Sequence, residues 1–176
     1  NGFSGDQIAE IASSDLYRSG QFAPIAKNNM LSFPHRDTEV VYRDWRMSGA
    51  EYLVIGSLSQ GSDGSLVANF TLCNVNGQKS MFTKTIQGGA NNLRDLAHFI
   101  SDEVYESLTG VRGVFQTRII YVRGERDKGR ETFKLLVADQ DGAREQVLMS
   151  SKEPILSADW SPDGTKVAYV SFEGRR

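Results

Sequence analysis

The stretch DWSPDGTKVAYVS at residues 159–171 constrains the fold more than any other part of the chain. Proline fixes φ at the first corner of a turn, aspartate bonds to nearby backbone, and glycine takes the positive φ of the exit. Asp163-Gly164 between two apolar runs is therefore a hairpin signal. The second run, Val167-Ala168-Tyr169-Val170, is apolar at four successive positions. A strand with one wet face alternates, so this one is expected to be covered on both faces, as in sheets stacked face to face.

The residues before it repeat the theme. Arg118–Arg123, Phe133–Ala138, Glu145–Met149, Pro154–Trp160 and Lys166–Phe172 read as five short strands. They are separated by a charged loop at Gly124 to Glu131, an Asp141-Gly142 turn, a loop at Ser150 to Glu153 and the Asp163-Gly164 turn. Regular short strands of this kind suggest a sandwich, a barrel or a propeller.

Residues 1–110 are of another kind. Ile8, Ile11, Ala12 and Leu16 fall at helical spacing, with Gly20 as a stop, and Asp37 to Ser48 reads as a second helix carrying Val40, Val41, Trp45 and Met47. Phe22 to Ile25 reads as a short extended piece. Glu51 to Ser59 is an apolar run too short for a buried helix, which predicts a central strand. Leu66 to Val75 alternates, with Leu66, Ala68, Phe70 and Leu72 on one face, and Asn76-Gly77 turns the chain into Ser80 to Gln87. Leu93, Leu96, Ala97, Ile100, Val104 and Leu108 step by three and four up to Gly110, which sits where a C-cap glycine belongs. The reading is an α+β N-terminal domain at 1–110, a mixed sheet covered by helices, followed at 111–176 by an incomplete β-propeller of about five strands.

The net charge of −2 disfavours a general affinity for nucleic acid, and aromatics at core spacings disfavour an RNA-reading face. No apolar run approaches the roughly 20 residues that span a bilayer, so no direct membrane insertion is expected. Asn1-Gly2-Phe3-Ser4 does not read as a signal peptide. Cys73, the single cysteine, reads as a packed strand residue.

Familiar elements run through the chain. Trp160-Ser161-Pro162-Asp163-Gly164-Thr165-Lys166-Val167-Ala168-Tyr169-Val170-Ser171-Phe172-Glu173 resembles the first blade signature of the TolB family of the Tol-Pal envelope system. The segment from Ser14 to Phe22 resembles the end of that family's first helix. Asp102 to Gly110, followed by Gly113-Val114-Phe115, resembles the junction between its two domains.

The resemblance implies a six-bladed propeller of some 250 residues. Only 66 residues follow Gly110, so the chain is expected to be a fragment whose last strand was shaped to lie between absent blades. It implies a non-enzymatic adaptor in the periplasm that links inner-membrane Tol components to the lipoprotein Pal, in support of outer-membrane integrity and cell division. The segment the family uses for TolA is expected to precede Asn1, which puts TolA binding by this chain in doubt. The three strands from Arg118 to Met149 would belong to the closing blade and the next two to the first. Loops 124–131, 150–154 and 173–176 would then emerge on one side and 139–143 and 161–165 on the other. The family binds Pal at the mouth of the central channel, and the matching loop here is Ser151, Lys152, Glu153 and Pro154. Open strand edges at 118–123 and 166–172 would favour self-association, or disorder after about residue 115.

No G-x-S-x-G elbow, H-E-x-x-H, Walker A or Cys-x-x-Cys pair occurs in the sequence. No cofactor is implied. Asp95, His98 and Asp102 could together hold zinc, but they flank the apolar stripe and read better as a polar helix border. His35 has no evident partner, Asp163 reads as a turn cap, and Trp45 and Trp160 read as core. Two alternatives fit the Trp-Ser-Pro-Asp-Gly element: a piece of a prolyl-oligopeptidase-like hydrolase, and a generic propeller binding scaffold.

Overall fold

The computed structural model describes residues 5–173. Asn1–Ser4 and the end of the 173–176 loop lie outside them. The chain forms two compact units that divide between Phe115 and Gln116.

The first unit opens with helix α1, Gly5–Arg18. Its apolar stripe faces helix α3, Leu93–Thr109, and a three-stranded sheet of β1 (Tyr52–Gln60), β2 (Leu66–Asn74) and β3 (Lys79–Gly88). Leu66, Ala68, Phe70 and Leu72 alternate along β2 and all lie in the core with Ile8, Leu96, Ile100 and Val104. The period-2 strand pattern and the 3.6-period helix pattern therefore meet on one surface. Gly110 ends α3 at φ 74°, and its N–H bonds to the Glu106 carbonyl at 2.8 Å. That left-handed cap is the conformation for which glycine has no penalty.

Three details of this unit differ from the sequence reading. The strand order is β1-β2-β3, so β2 is central and β1 lies at an edge, with Tyr52 and Val54 exposed. A continuous apolar run shows that a strand is apolar but not which neighbours it has. The second difference is the sheet, expected to be mixed, which is antiparallel in both its pairings. The extended piece at 22–25 forms no strand within it. Finally, the helix expected over 37–48 is split into a 3-10 turn, Asp37–Glu39, and a short helix α2, Tyr42–Met47. Val40 and Val41 sit between them at ψ 114° and 84°, away from helical values, as β-branched residues favour.

Gly56 is fixed by close approach of β2. A Cβ there would lie 2.4 Å from the Asn69 carbonyl oxygen. His35, with no partner evident in the sequence, reaches this same residue, its Nδ1 lying 3.3 Å from the Gly56 carbonyl oxygen.

The second unit holds a sheet of β4 (Arg118–Asp127), β5 (Arg130–Asp139) and β6 (Gln146–Ser151), and a two-stranded sheet of β7 (Ile155–Trp160) and β8 (Val167–Ser171). All pairs are antiparallel. All five strands are paired, with register shifts within the β5–β6 and β7–β8 pairs, so the described residues after 115 form strands and turns where a disordered tail was the alternative. They make partial propeller sheets, and among the described residues no ring closes.

The charged loop expected at 124–131 is instead the end of a long hairpin. Its charges pair across the strands, with Lys134 to Glu125 at 2.7 Å and Arg126 to Glu131 at 2.8 Å. Only Lys128 and Gly129 turn, both at positive φ. Coverage of both faces occurs in β5, where Leu135, Leu136, Val137 and Ala138 are all buried. Tyr169 and Val170 of β8 are exposed among the described residues.

Candidate partner-binding surface

The loop singled out in the sequence joins β6 to β7. Ser151 ends β6 and is buried; its hydroxyl donates to the Glu153 carbonyl at 2.8 Å and accepts from the Glu153 N–H at 2.9 Å. Lys152, Glu153 and Pro154 are exposed. The four residues therefore divide in function: Ser151 shapes the loop from beneath, and the other three present its surface. Beyond the loop, Ile155 is buried at the start of β7 and anchors the exit. The Asp127–Arg130 turn lies at the same end of the sheet, since Phe133 pairs with Ser151. Turns 139–143 and 161–165 are at the opposite ends of their strands, as alternation of direction requires.

A break in β7 follows. Register shifts between Leu156 and Asp159, and Ser157 sits at φ 51°. A non-glycine residue in that region is uncommon and costs on the order of 1–3 kcal/mol. The strand next to the candidate loop is therefore bent by a bulge, a device found where a strand must re-aim side chains.

Both turns on the other side are held by aspartates. Asp163 accepts from the hydroxyls of Ser161 and Thr165 and from the Thr165 N–H, and these bonds, that from Ser161 foremost, hold its carboxyl down at about 2. The turn-cap expectation for Asp163 is thereby met. Asp139 takes Arg144 through Nε at 2.7 Å and Nη2 at 3.0 Å, a bidentate pair that closes the β5–β6 turn. An open cavity of about 610 Å³ lies between the two sheets of this unit, lined by Arg118, Val137, Gln146, Leu148, Trp160 and Val167. Trp160 is thus half-buried on this cavity, while Trp45 is core.

Just before β6, Glu145 accepts from Arg123 Nη1 of β4 at 3.0 and 2.8 Å and from the Tyr121 hydroxyl. The bond from Tyr121 is the main cause of a Glu145 carboxyl held below the usual range.

In the first unit, of the three polar residues singled out on α3, Asp95 is half-buried and the other two are not a solvent border. His98 and Asp102 are buried and have separate tasks. His98 donates from Nδ1 to Asp15 Oδ2 at 2.7 Å, and Ser101 donates to the same oxygen at 2.8 Å. Arg18 covers the other oxygen at 2.5 Å. Asp102 Oδ1 accepts the Phe115 N–H at 2.8 Å, which folds the segment after Gly110 back onto α3. Gly113 lies against that carboxylate, and the Phe115 ring meets Tyr105 edge-on at 5.7 Å.

The sequence reading assigns Asp15 no role of its own beyond the Ser14–Phe22 segment, although a signal exists. Ile8, Ala12 and Asp15 step by four and three, which places a carboxylate on the buried stripe of α1. Cys73 is buried in β2 as expected; burial raises its thiol pKa. Burial, with the neighbouring thiol, pushes the Tyr42 hydroxyl up to about 12.

Comparison with known proteins gives two family matches in succession along the chain. Residues 2–81 match the family described as TolB amino-terminal domain, and residues 105–176 match TolB beta propeller domain. The Tol-Pal system protein TolB of Marinomonas sp. (strain MWYL1) is 51% identical over 97% of this chain. That of Pseudomonas fluorescens (strain SBW25) is 47% identical over the same share. The chain spans 40% of the length of each. The crystal structure of TolB from Acinetobacter baumannii superposes with a TM-score of 0.83 at 34% identity, covering 98% of this chain and 42% of that one. An α+β unit and partial propeller sheets in this order, matched along nearly the whole sequence, place the chain in the TolB family of Tol-Pal system proteins.

Proposed function

We propose that this chain is part of a non-enzymatic periplasmic adaptor that links inner-membrane Tol components to the lipoprotein Pal, and so supports outer-membrane integrity and constriction during division. The observation that carries the reading is 51% identity, over 97% of the chain, to a protein named for the Tol-Pal system. No relative cited above is named as a hydrolase, so neither that alternative nor a generic scaffold gains support.

Within this reading, Lys152, Glu153 and Pro154 form the Pal-facing part of the surface, with Ser151 as the buried support of their loop. A rigid sheet presenting a short, internally bonded loop binds without a large ordering cost. Pal then meets one cation and one anion side by side, a pairing that fixes register more than it adds affinity. TolA contact belongs to the same proposal for the longer protein.

A photo-crosslinking residue at position 152, in a longer protein carrying this chain, tests the assignment. The expected result is a Pal adduct at 152 that is absent when the probe is placed at exposed Lys166, beside the 161–165 turn at the opposite end of β7. Adducts of equal yield at both positions, or none at 152, would remove the loop from the interface.

A further inference from the structure

The chain reverses between β2 and β3 through Val75-Asn76-Gly77-Gln78. The Gln78 N–H bonds back to the Val75 carbonyl at 3.3 Å, and Gln78 has φ 52°. Asn76 and Gly77 are exposed, whereas Val75 is fully buried. One side chain controls the tip. Asn74 Oδ1 accepts the Gly77 N–H at 2.7 Å, and its carboxamide lies so close that a Cβ on Gly77 would come within 3.3 Å of Asn74 Cγ.

An exposed Asn-Gly peptide carries its own reagent. The Gly77 nitrogen, once it has given up its proton, can attack Asn76 Cγ, and glycine has no Cβ to obstruct the approach. The new bond is Gly77 N to Asn76 Cγ; the bond that breaks is Cγ–Nδ2. The leaving nitrogen takes a proton and departs as ammonia, and a five-membered succinimide remains. Water then adds at either carbonyl, opening the ring to aspartate or isoaspartate. Nothing is oxidised or reduced, and water is the only co-reactant.

We propose that Asn76 is a site of spontaneous deamidation whose rate is set by Asn74. The Asn74 oxygen holds the proton that the Gly77 nitrogen must lose. An isoaspartate at 76 would put an extra methylene into the backbone beside buried Val75, at the junction of β2 and β3. The modification therefore loosens the strand pair that carries the core of the first unit.

The test is incubation of the folded chain in mildly alkaline buffer. The readouts are the mass gain from replacing an amide by an acid and isoaspartyl methyl transfer, both on the peptide containing residue 76. Asn74→Ala should speed the conversion about fivefold, the rate equivalent of one ordinary hydrogen bond. Asn74→Asp keeps an acceptor for the Gly77 N–H and should stay near the parent rate. Asn76→Ala, which has no Cγ to attack, should abolish both the mass gain and the isoaspartyl signal on that peptide. In denaturant the parent and Asn74→Ala should react alike, and both faster than the folded parent. Equal rates for folded and denatured parent would overturn the proposal even if Asn74→Ala failed to fold. So would equal rates for folded parent and folded Asn74→Ala, or conversion confined to another asparagine.

Discussion

Asp15 of α1 and His98 of α3, 83 residues apart, meet at 2.7 Å in the interior of the first unit. Both side chains are almost fully buried, and Ser101 shares the same carboxylate oxygen. A buried carboxylate is tolerable only when its oxygens are occupied, and these are. Asp15→Ala takes the acceptor from His98 and Ser101 together and should cost about 3 kcal/mol in urea denaturation. Arg18→Ala, whose side chain is 42% exposed, should cost less than about 1 kcal/mol. Similar losses for the two variants would contradict the asymmetry.

Gly113 and Asp102 form a second tight contact. A Cβ on Gly113 would fall 2.2 Å from Asp102 Oδ1 and 2.8 Å from Asp102 Cα. Gly113→Ala should therefore push the segment off α3 and destabilise by about 2 kcal/mol, in the range of overpacking. Asp102→Ala loses the bond to Phe115 but frees part of the space. The double variant should cost less than the sum of the two single ones, by about 1 kcal/mol, because the residues share one contact. Strict additivity would mean that the backbone absorbs the methyl elsewhere.

Ser157 holds the bulge of β7 at φ 51°. Ser157→Gly should stabilise the second unit by up to about 1 kcal/mol, since glycine accepts that conformation freely. Ser157→Val should do the reverse. A stabilising valine, read by thermal unfolding, would show that the bulge flattens without cost.

Asp163 gives the hairpin a pH dependence. Its folded carboxyl titrates at about 2, below the ordinary 3.8, because Ser161 and Thr165 bond to the charged form. A depressed folded value contributes stability that is complete above pH 3.8 and is lost as pH falls through 2. Asp163→Asn should weaken amide protection of β7 and β8 at neutral pH, and the difference from the parent should vanish in strong acid. A difference that grew with acidity would reverse the sign.

Much of this was legible in advance, for reasons specific to each element. The turns at Asp141-Gly142 and Asp163-Gly164 and the end of α3 at Gly110 depend on local backbone chemistry, and all three glycines have positive φ. The β2 and α3 stripes were legible because their faces are buried in one core. What escaped was non-local. The edge position of β1 is a fact about pairing, and Glu125, Arg126 and Glu131 looked like a loop because their partners stand on the facing strand. His98 and Asp102 looked like a helix border until Asp15 and the Phe115 N–H came to meet them. The candidate loop was located by resemblance; its internal support by Ser151 needed coordinates.

Calorimetric titration with Pal tests the central claim most directly, comparing this chain with a protein in which its strands β4 to β8 are part of a complete propeller. The account predicts that the complete propeller binds, and that this chain alone binds more weakly than micromolar, with Lys152, Glu153 and Pro154 supplying only part of the surface. Equal affinity for the two proteins, or no heat with the complete propeller, would contradict it.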